Sequence, residues 1–276
     1  MYSTKVTPVI EESALEVRLA RDAADLQGAQ RLRYRVFIEE LGAPGGPLVD
    51  HGLRLERDAL DPHFDHLVLV DRHRDPETLD HVIGVYRLLP SERAQALGRF
   101  YCDSEYDLTP LRSLGRKLVE LGRSCVERAH RRGPAMMLLW KGLADYVLSR
   151  DIEILFGVAS FHGADAARHA RALSYLHHFH LAPEPLRVRA LSGHFHPMDQ
   201  IAPDAIDPRA ALAEVPPLIR AYLRLGGYVG DGAYIDQEFN TTDVCLIMDT
   251  SAMSDRYLDY YARKATRPTG GLNHPA

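Results

Sequence analysis

Two ionised groups interrupt the apolar run Lys117–Val126, KLVELGRSCV: a carboxylate at Glu120 and a guanidinium at Arg123. A charge left in a buried strand is costly unless it is paired or functional. Glu120 sits beside Leu121 and Val126, apolar neighbours that raise a carboxylate's proton affinity and suit it to accept a proton. Arg123 has two counterparts in similar settings, Arg33 and Arg87. Guanidiniums hold carboxylates in a bidentate grip. The connector between Arg33 and Arg87 supplies two spaced acids, Asp58 and Asp61. These charges exceed what one structural salt bridge requires, and together they neutralise one another if they share a cleft. For Arg33 taken alone, a structural ion pair is the competing reading.

These side chains need elements to carry them. Leu15–Ala20 reads as a strand, and Asp22 is an N-cap with Asp25 in the first helical turn. The following helix runs to about Leu41, before the turn-forming GAPGGP. At 100° per residue, Leu26, Ala29, Val36, Phe37 and Leu41 share a stripe with Arg33 at its centre, while Arg35 points to solvent. Asp65–Arg72 and Val82–Leu89 form an antiparallel hairpin, which places Arg87 on the face of Ile83, Val85 and Leu89. Strict alternation along Lys117–Val126 sends Glu120 and Arg123 to opposite faces. An extra residue at Gly122, a β-bulge, brings them to one side. A basic turn, ERAHRRG, leads to Pro134 at the first helical position and a helix to Arg150. Ile152–Phe161 is a buried strand and Ala164–His177 a helix. The order is β-α-β-β-β-α-β-α, an α/β arrangement.

The remainder is less patterned. Residues 178–214 carry or adjoin five histidines, His177, His178, His180, His194 and His196, without a carboxylate in register, so no metal site is expected. Pro216–Leu225 is a helix. The glycine-rich GGYVGDGAYIDQEFN lacks the GKS/T of a phosphate loop and serves turns or a cleft wall. Thr242–Met248 is a strand and Ser254–Lys264 a short helix. Residues 1–14 and 265–276 read as flexible tails. A net charge of -5 over 276 residues argues against a nucleic-acid partner. The three cysteines, Cys102, Cys125 and Cys245, are far apart and fit a reducing compartment. There is no apolar signal core and no run of about 18 apolar residues, so any membrane contact is peripheral.

The element order, with a strand entering a basic turn and then a helix, resembles the GNAT acyltransferase fold: a mixed, largely antiparallel sheet flanked by helices. Residues about 30–165 resemble the acyl-homoserine-lactone synthase branch at RLRYRVF (Arg33, Phe37), RDALD (Asp58, Asp61), GVYRLL (Arg87) and ELGR (Glu120, Arg123). The whole chain is more similar to the L-ornithine Nα-acyltransferases of ornithine lipid biosynthesis, through LRLGGYVGDGAYIDQEFNTTDVCLIMD. The resemblance implies one domain over 15–264, with a core of about 15–177 and a C-terminal elaboration over 178–264. It further implies transfer of a 3-hydroxyacyl chain from acyl carrier protein to the α-amine of L-ornithine, giving lyso-ornithine lipid. The setting implied is the cytoplasm, with peripheral contact to the inner membrane. No cofactor is permanently bound; the donor is acyl-phosphopantetheine on its carrier. Where the wider GNAT pattern has a pyrophosphate loop, this chain has His130-x-x-Gly133-x-Ala135. That departure counts against coenzyme A, and Arg128, Arg131 and Arg132 suit an acidic carrier surface.

Under this reading Glu120 is the base, and a bulge at Gly122 frees backbone N–H groups for the thioester carbonyl. Asp58 and Asp61 hold the side-chain ammonium; Arg33, Arg87 or Arg123 holds the carboxylate; Phe37 completes the substrate site. Met136, Met137, Leu139, Trp140, Ile154 and Phe156 are either walls for the acyl chain or ordinary core. Two readings compete: a lactone-type signal synthase with another acceptor, and a non-catalytic acyl-carrier or lipid-binding module of the same fold.

Overall fold

The computed structural model describes residues 14–252. The expected tails before and after that range, and the helix expected at Ser254–Lys264, lie outside it. In chain order come β1 (Leu15–Leu19), α1 (Ala23–Arg33), β2 (Asp65–Asp71), β3 (Val82–Pro90), α2 (Ser91–Leu97), β4 (Tyr106–Asp107) and α3 (Thr109–Ser113). β5 (Leu118–Val126), α4 (Ala135–Ser149), β6 (Ile154–His162), α5 (Ala170–His180), β7 (Arg189–Ala190) and β8 (Phe195–His196) follow. The last are α6 (Pro208–Glu214), α7 (Pro217–Arg224), β9 (Tyr228–Val229), β10 (Ala233–Asp236) and β11 (Thr241–Asp249).

Asp22 caps α1, its carboxylate accepting the Asp25 N–H, and thereby satisfies one of the helix's orphan donors. α1 does not continue as a regular helix to Leu41. Beyond Arg33 the turns widen into a π-helix, Tyr34–Glu40, and the wider turns rotate the stripe. Ala29, Leu32, Arg33 and Val36 are buried, whereas Leu41 is half exposed. Arg35 does not point freely to solvent: it is part-buried and pairs with Asp80 and Glu127. Pro134 takes the N-cap of α4, one position before that expected.

The main sheet runs β1-β2-β3-β5-β6-β11-β10-β8, with β9 also paired to β11; β4 and β7 form a separate small ribbon. α4 covers one face, over Leu67, Leu69, Ile83 and Val119. On the other face α1 lies over Val68, Val70, Val82 and Val85. Beside it Phe64, Phe100, Cys102 and Tyr106 cover Leu89, Phe156, Cys245 and Ile247. Ile83 is an extra residue in β3, because Val70 pairs Val82 while Leu69 pairs Gly84. The bulge turns Ile83 towards α4, so Arg87 keeps Val85 and Leu89 on its face but has Val82 there in place of Ile83.

β5 and β6 are parallel neighbours, and their pairing ends at Glu120 opposite Phe156. β5 continues to Val126 and β6 to His162, so the two part like the arms of a fork. Gly157 sits at the fork: a Cβ there would lie 2.2 Å from the Leu121 carbonyl oxygen. β6 instead pairs along its whole length with β11, Ile154 opposite Asp249 through His162 opposite Thr241. The residues after 178 therefore complete the sheet rather than decorate a finished core.

Candidate active site

Arg33, at the junction of α1 and the π-helix, is completely buried. Its Nε donates to the Glu56 carboxylate, and its two terminal nitrogens reach Asp61 Oδ1 and Oδ2 at 2.7 and 3.0 Å. One of these nitrogens also donates to the Glu56 carbonyl at 2.6 Å. Asp61 further accepts from Gln30 Nε2 (2.9 Å) and Arg87 Nη1 (3.1 Å). Arg87 Nη1 also donates to Asp58, and Arg123 Nε reaches Glu56 Oε1 at 3.4 Å. Burial alone pushes the Asp61 carboxyl up, but the Arg33 and Arg87 guanidiniums overcome it and hold the group well below the usual carboxylate range. Burial, with Arg123 and Arg33 close by, pushes the Arg87 guanidinium down.

The six charges singled out in the sequence fall into two roles. Arg87, Glu120 and Arg123, with the uncharged Phe37, line a cavity of about 280 Å³; Arg33, Asp58 and Asp61 do not. Asp61 is saturated by arginines and Asp58 is engaged by Arg87, so neither offers the ammonium site expected of it. The reason is a charge count. Three buried guanidiniums need three carboxylates, and the chain supplies Glu56, Asp58 and Asp61. Glu56 was missed, although three arginines in apolar settings, Arg33, Arg87 and Arg123, against the two acids Asp58 and Asp61 were its signal.

β5 does contain an extra residue, one step beyond the position expected. Val85 pairs Cys125 and Arg87 pairs Gly122, so Tyr86 opposes both Arg123 and Ser124. Arg123, not Gly122, takes the left-handed backbone, at φ +48°. Gly122 has room for a side chain, with Arg87 Nε 4.0 Å from where a Cβ would lie. Arg123 tolerates the unusual backbone because its side chain is anchored: Glu56 pairs with it, and the Phe239 and Tyr101 rings lie 4.9 and 5.4 Å from its guanidinium carbon. The bulge leaves Glu120 and Arg123 on one face.

Glu120 is 1% exposed. Its Oε2 accepts the Tyr101 N–H at 2.7 Å and its Oε1 the Cys102 N–H at 2.6 Å, at the start of a 3-10 turn, Tyr101–Ser104. Burial raises its proton affinity, and these hydrogen bonds and Arg87 oppose it; the balance lies above the usual value. Across the cavity stand three acids that no motif announced, Glu105, Asp236 and Asp243. Burial and the neighbouring carboxylates push Glu105 up to about 9 and Asp243 up to about 6. Asp236 belongs to the glycine-rich run, which does form part of the cavity wall.

The cavity crosses the sheet through the fork. Glu105, Glu120 and Asp243 line it on one face, and Leu155, Leu218, Tyr222 and Met248 on the other. A second cavity of about 250 Å³ continues beneath α4 and α7, sharing Leu155, Tyr222 and Met248 and adding Trp140, Leu143, Val147 and Leu225. Of the acyl walls expected, Phe156 lines the first cavity and Trp140 the second. Met136, Met137, Leu139 and Ile154 line neither: Leu139 packs over Gly84, Ile154 is sealed in the opposite core, and Met137 is exposed.

The basic turn is surface-exposed at Arg128, Arg131 and Arg132. Arg131 is partly committed, to the Val126 carbonyl at 2.9 Å and to Glu40 at 2.7 Å. Of the five histidines three make local bonds, His178 to the Ile201 carbonyl, His194 to that of Ile235 and His180 to the Tyr175 hydroxyl, whereas His177 Nδ1 and His196 Nε2 are buried without a hydrogen-bond partner. Among the described residues no helix is long and apolar enough to cross a membrane.

Comparison with known proteins agrees with this architecture. The family model of an acetyltransferase (GNAT) domain matches residues 32–141. An N-acyl amino acid synthase from uncultured soil microbes, FeeM, superposes with a TM-score of 0.50 at 12% identity, over 86% of this chain and 91% of that one. A coenzyme A-dependent acyl-homoserine lactone synthase, BjaI, is similar at a TM-score of 0.48 and 14% identity, over 92% of each chain. The sheet with its forked parallel pair and the matching domain define an acyltransferase of the GNAT fold. The L-ornithine Nα-acyltransferase of Rhodobacter capsulatus is 60% identical over 249 residues, 90% of this chain and 95% of that protein. The chain belongs to the L-ornithine Nα-acyltransferase family.

Proposed function

We propose that the protein transfers a 3-hydroxyacyl chain from the phosphopantetheine thioester of acyl carrier protein to the α-amine of L-ornithine, yielding lyso-ornithine lipid. The observation that carries this reading is a cavity with a charged chamber on one face of the sheet and an apolar one on the other, joined at the β5/β6 fork. An amphiphile with an amino-acid head and a hydrocarbon tail matches that division. The 60% identical relative bears the corresponding name.

In the reaction the amine loses a proton to Glu120, directly or through one water, and its lone pair attacks the thioester carbonyl. The carbonyl oxygen gains charge beside the stretch of β5 beyond Glu120, whose edge facing β6 has no strand partner. The tetrahedral centre then collapses, the C–S bond breaks, the nitrogen passes its extra proton to the departing sulfur so that a thiol leaves, and Glu120 returns its proton to solvent. Arg87 and Arg123 face the chamber and suit the substrate carboxylate. Docking of the carrier falls to the exposed Arg128 and Arg132, with Arg131 shared with Glu40. Peripheral contact with the inner membrane would pass the product to lipid.

Thiol release with ornithine as acceptor tests the donor. Acyl carrier protein is expected to support a much higher kcat/KM than the matching acyl-coenzyme A, and an equal rate from both overturns the carrier assignment. No transfer to ornithine from either donor overturns the whole reading.

A further inference from the structure

Glu105, Asp236 and Asp243 come from three separate elements: the segment between the Tyr101–Ser104 turn and β4, the end of β10, and β11. Each offers a carboxylate oxygen within 4.8 Å of the other two. Two of them are almost sealed, Glu105 at 4% and Asp243 at 3% exposure. Glu105 Oε2 and Asp243 Oδ1 have no hydrogen-bond partner. Asp236 uses Oδ1 to accept the Phe239 N–H at 2.9 Å. Buried carboxylate oxygens are rarely left unpartnered, because the desolvation penalty is then uncompensated. All three line the cavity that holds Arg87, Arg123 and Glu120.

We infer that the Glu105–Asp236–Asp243 cluster is the subsite for a second ammonium group, the side-chain amine of a diamino acid acceptor. This rests on the functional reading above and adds the group that selects the acceptor. The cavity then has two poles. Arg87 and Arg123 take the α-carboxylate at one, the acid cluster takes the side-chain ammonium at the other, and the α-amine lies between them within reach of Glu120. The acids expected to do this from sequence, Asp58 and Asp61, are already engaged by arginines. The orphaned oxygens of Glu105 and Asp243 are not.

Burial and neighbouring carboxylates raise Glu105 to about 9 against about 6 for Asp243, so at pH 7 Glu105 holds a proton that an ammonium displaces. The charged and titratable groups facing it are Arg123 and Glu120 of β5, Tyr101, Cys102, Tyr106 of β4 and Tyr234 of β10. Of these only Arg123 favours the ionised carboxylates; the Ser160 and Thr241 hydroxyls also favour ionised Asp243.

The test compares L-ornithine with L-norvaline, which is ornithine without its side-chain amine. Wild-type enzyme is expected to prefer ornithine in kcat/KM by about 100-fold or more, as for sites built to pair a substrate N–H. In Asp243→Asn and in Glu105→Gln that preference should fall by about tenfold or more, the worth of one charged hydrogen bond. Calorimetry on unaltered protein at pH 7, in buffers of different ionisation enthalpy, should show proton release with ornithine beyond that with norvaline. That measurement does not depend on either variant folding. Equal acylation of ornithine and norvaline by wild type overturns the subsite while N-acyl transfer stands. Equal proton release overturns it as well. Loss of turnover on chelation, restored by Mg²⁺ or Ca²⁺, would make the cluster a metal site and likewise overturn the proposal. Absence of thiol release with any amine removes the functional reading and this inference together.

Discussion

Glu120 is fixed by two backbone N–H groups and shut away from solvent, so the proposed role as a base depends on the ionised form being available. Burial lifts its pKa above the usual carboxylate value. A base works when deprotonated, so kcat/KM should rise as pH increases through that raised pKa and level off above it. Glu120→Gln keeps the shape and one of the two backbone bonds, because its NH2 cannot accept the other N–H, and it cannot take a proton. A loss of about 100-fold or more is expected from removing a general base, measured as thiol release with the fold verified by circular dichroism; near-normal turnover excludes the role. Asp61 acts on stability instead. Its folded pKa is depressed, so its contribution is present above the unfolded value of about 3.9 and is lost as pH falls towards the folded one. Asp61→Asn leaves Arg33 and Arg87 short of a counter-charge and should destabilise the protein by about 3–5 kcal/mol. Urea unfolding at pH 7 would measure it, and the difference from wild type should shrink in acid.

At the scale of elements, the β5/β6 fork sets the geometry. Gly157 lets the two backbones touch where pairing ends, and a methyl there would strike the Leu121 carbonyl oxygen. Gly157→Ala should cost about 1–3 kcal/mol in stability, as overpacking does, and should lower transfer because it shifts the edge of β5 proposed to face the thioester. Unchanged melting temperature and rate would show the fork to be slack. Most long elements were legible in the sequence because each follows one period: the hairpin of β2 and β3, the apolar β5, amphipathic α4, buried β6 and β11. What periodicity could not reveal were local breaks in that period. The π-helical turns after Arg33, the extra Ile83 and the shift of the bulge from Gly122 to Arg123 each depend on tertiary anchoring. Glycine was the local expectation for the bulge, and Arg123 displaced it because Glu56, Tyr101 and Phe239 hold its side chain. The same limit explains the site. Charges inside apolar runs stood out, whereas Glu56, Glu105, Asp236 and Asp243 lie in or beside polar stretches where a carboxylate draws no notice until the fold buries it.

At the scale of the whole molecule, β8 to β11, from the described residues of the C-terminal third, are part of the sheet. β11 seals the open side of β6 and carries Asp243, and α7 supplies Leu218 and Tyr222 to the far side of the fork. Head and tail of an N-acylated amino acid would therefore sit on opposite faces of one β-sheet. When such a product leaves on the side of its head, the tail is withdrawn through the fork. Each methylene held in the apolar chamber adds about 0.8 kcal/mol to that withdrawal, close to a fourfold longer stay. Past the chain length that fills the second cavity, turnover should be set by how fast product slips out rather than by bond making, with a pre-steady-state burst of thiol for long chains and none for short ones. Detergent micelles or lipid vesicles, which give the emerging tail somewhere to go, should then speed steady turnover and leave the burst unchanged. The fork would meter product into a bilayer as well as hold the reacting bond.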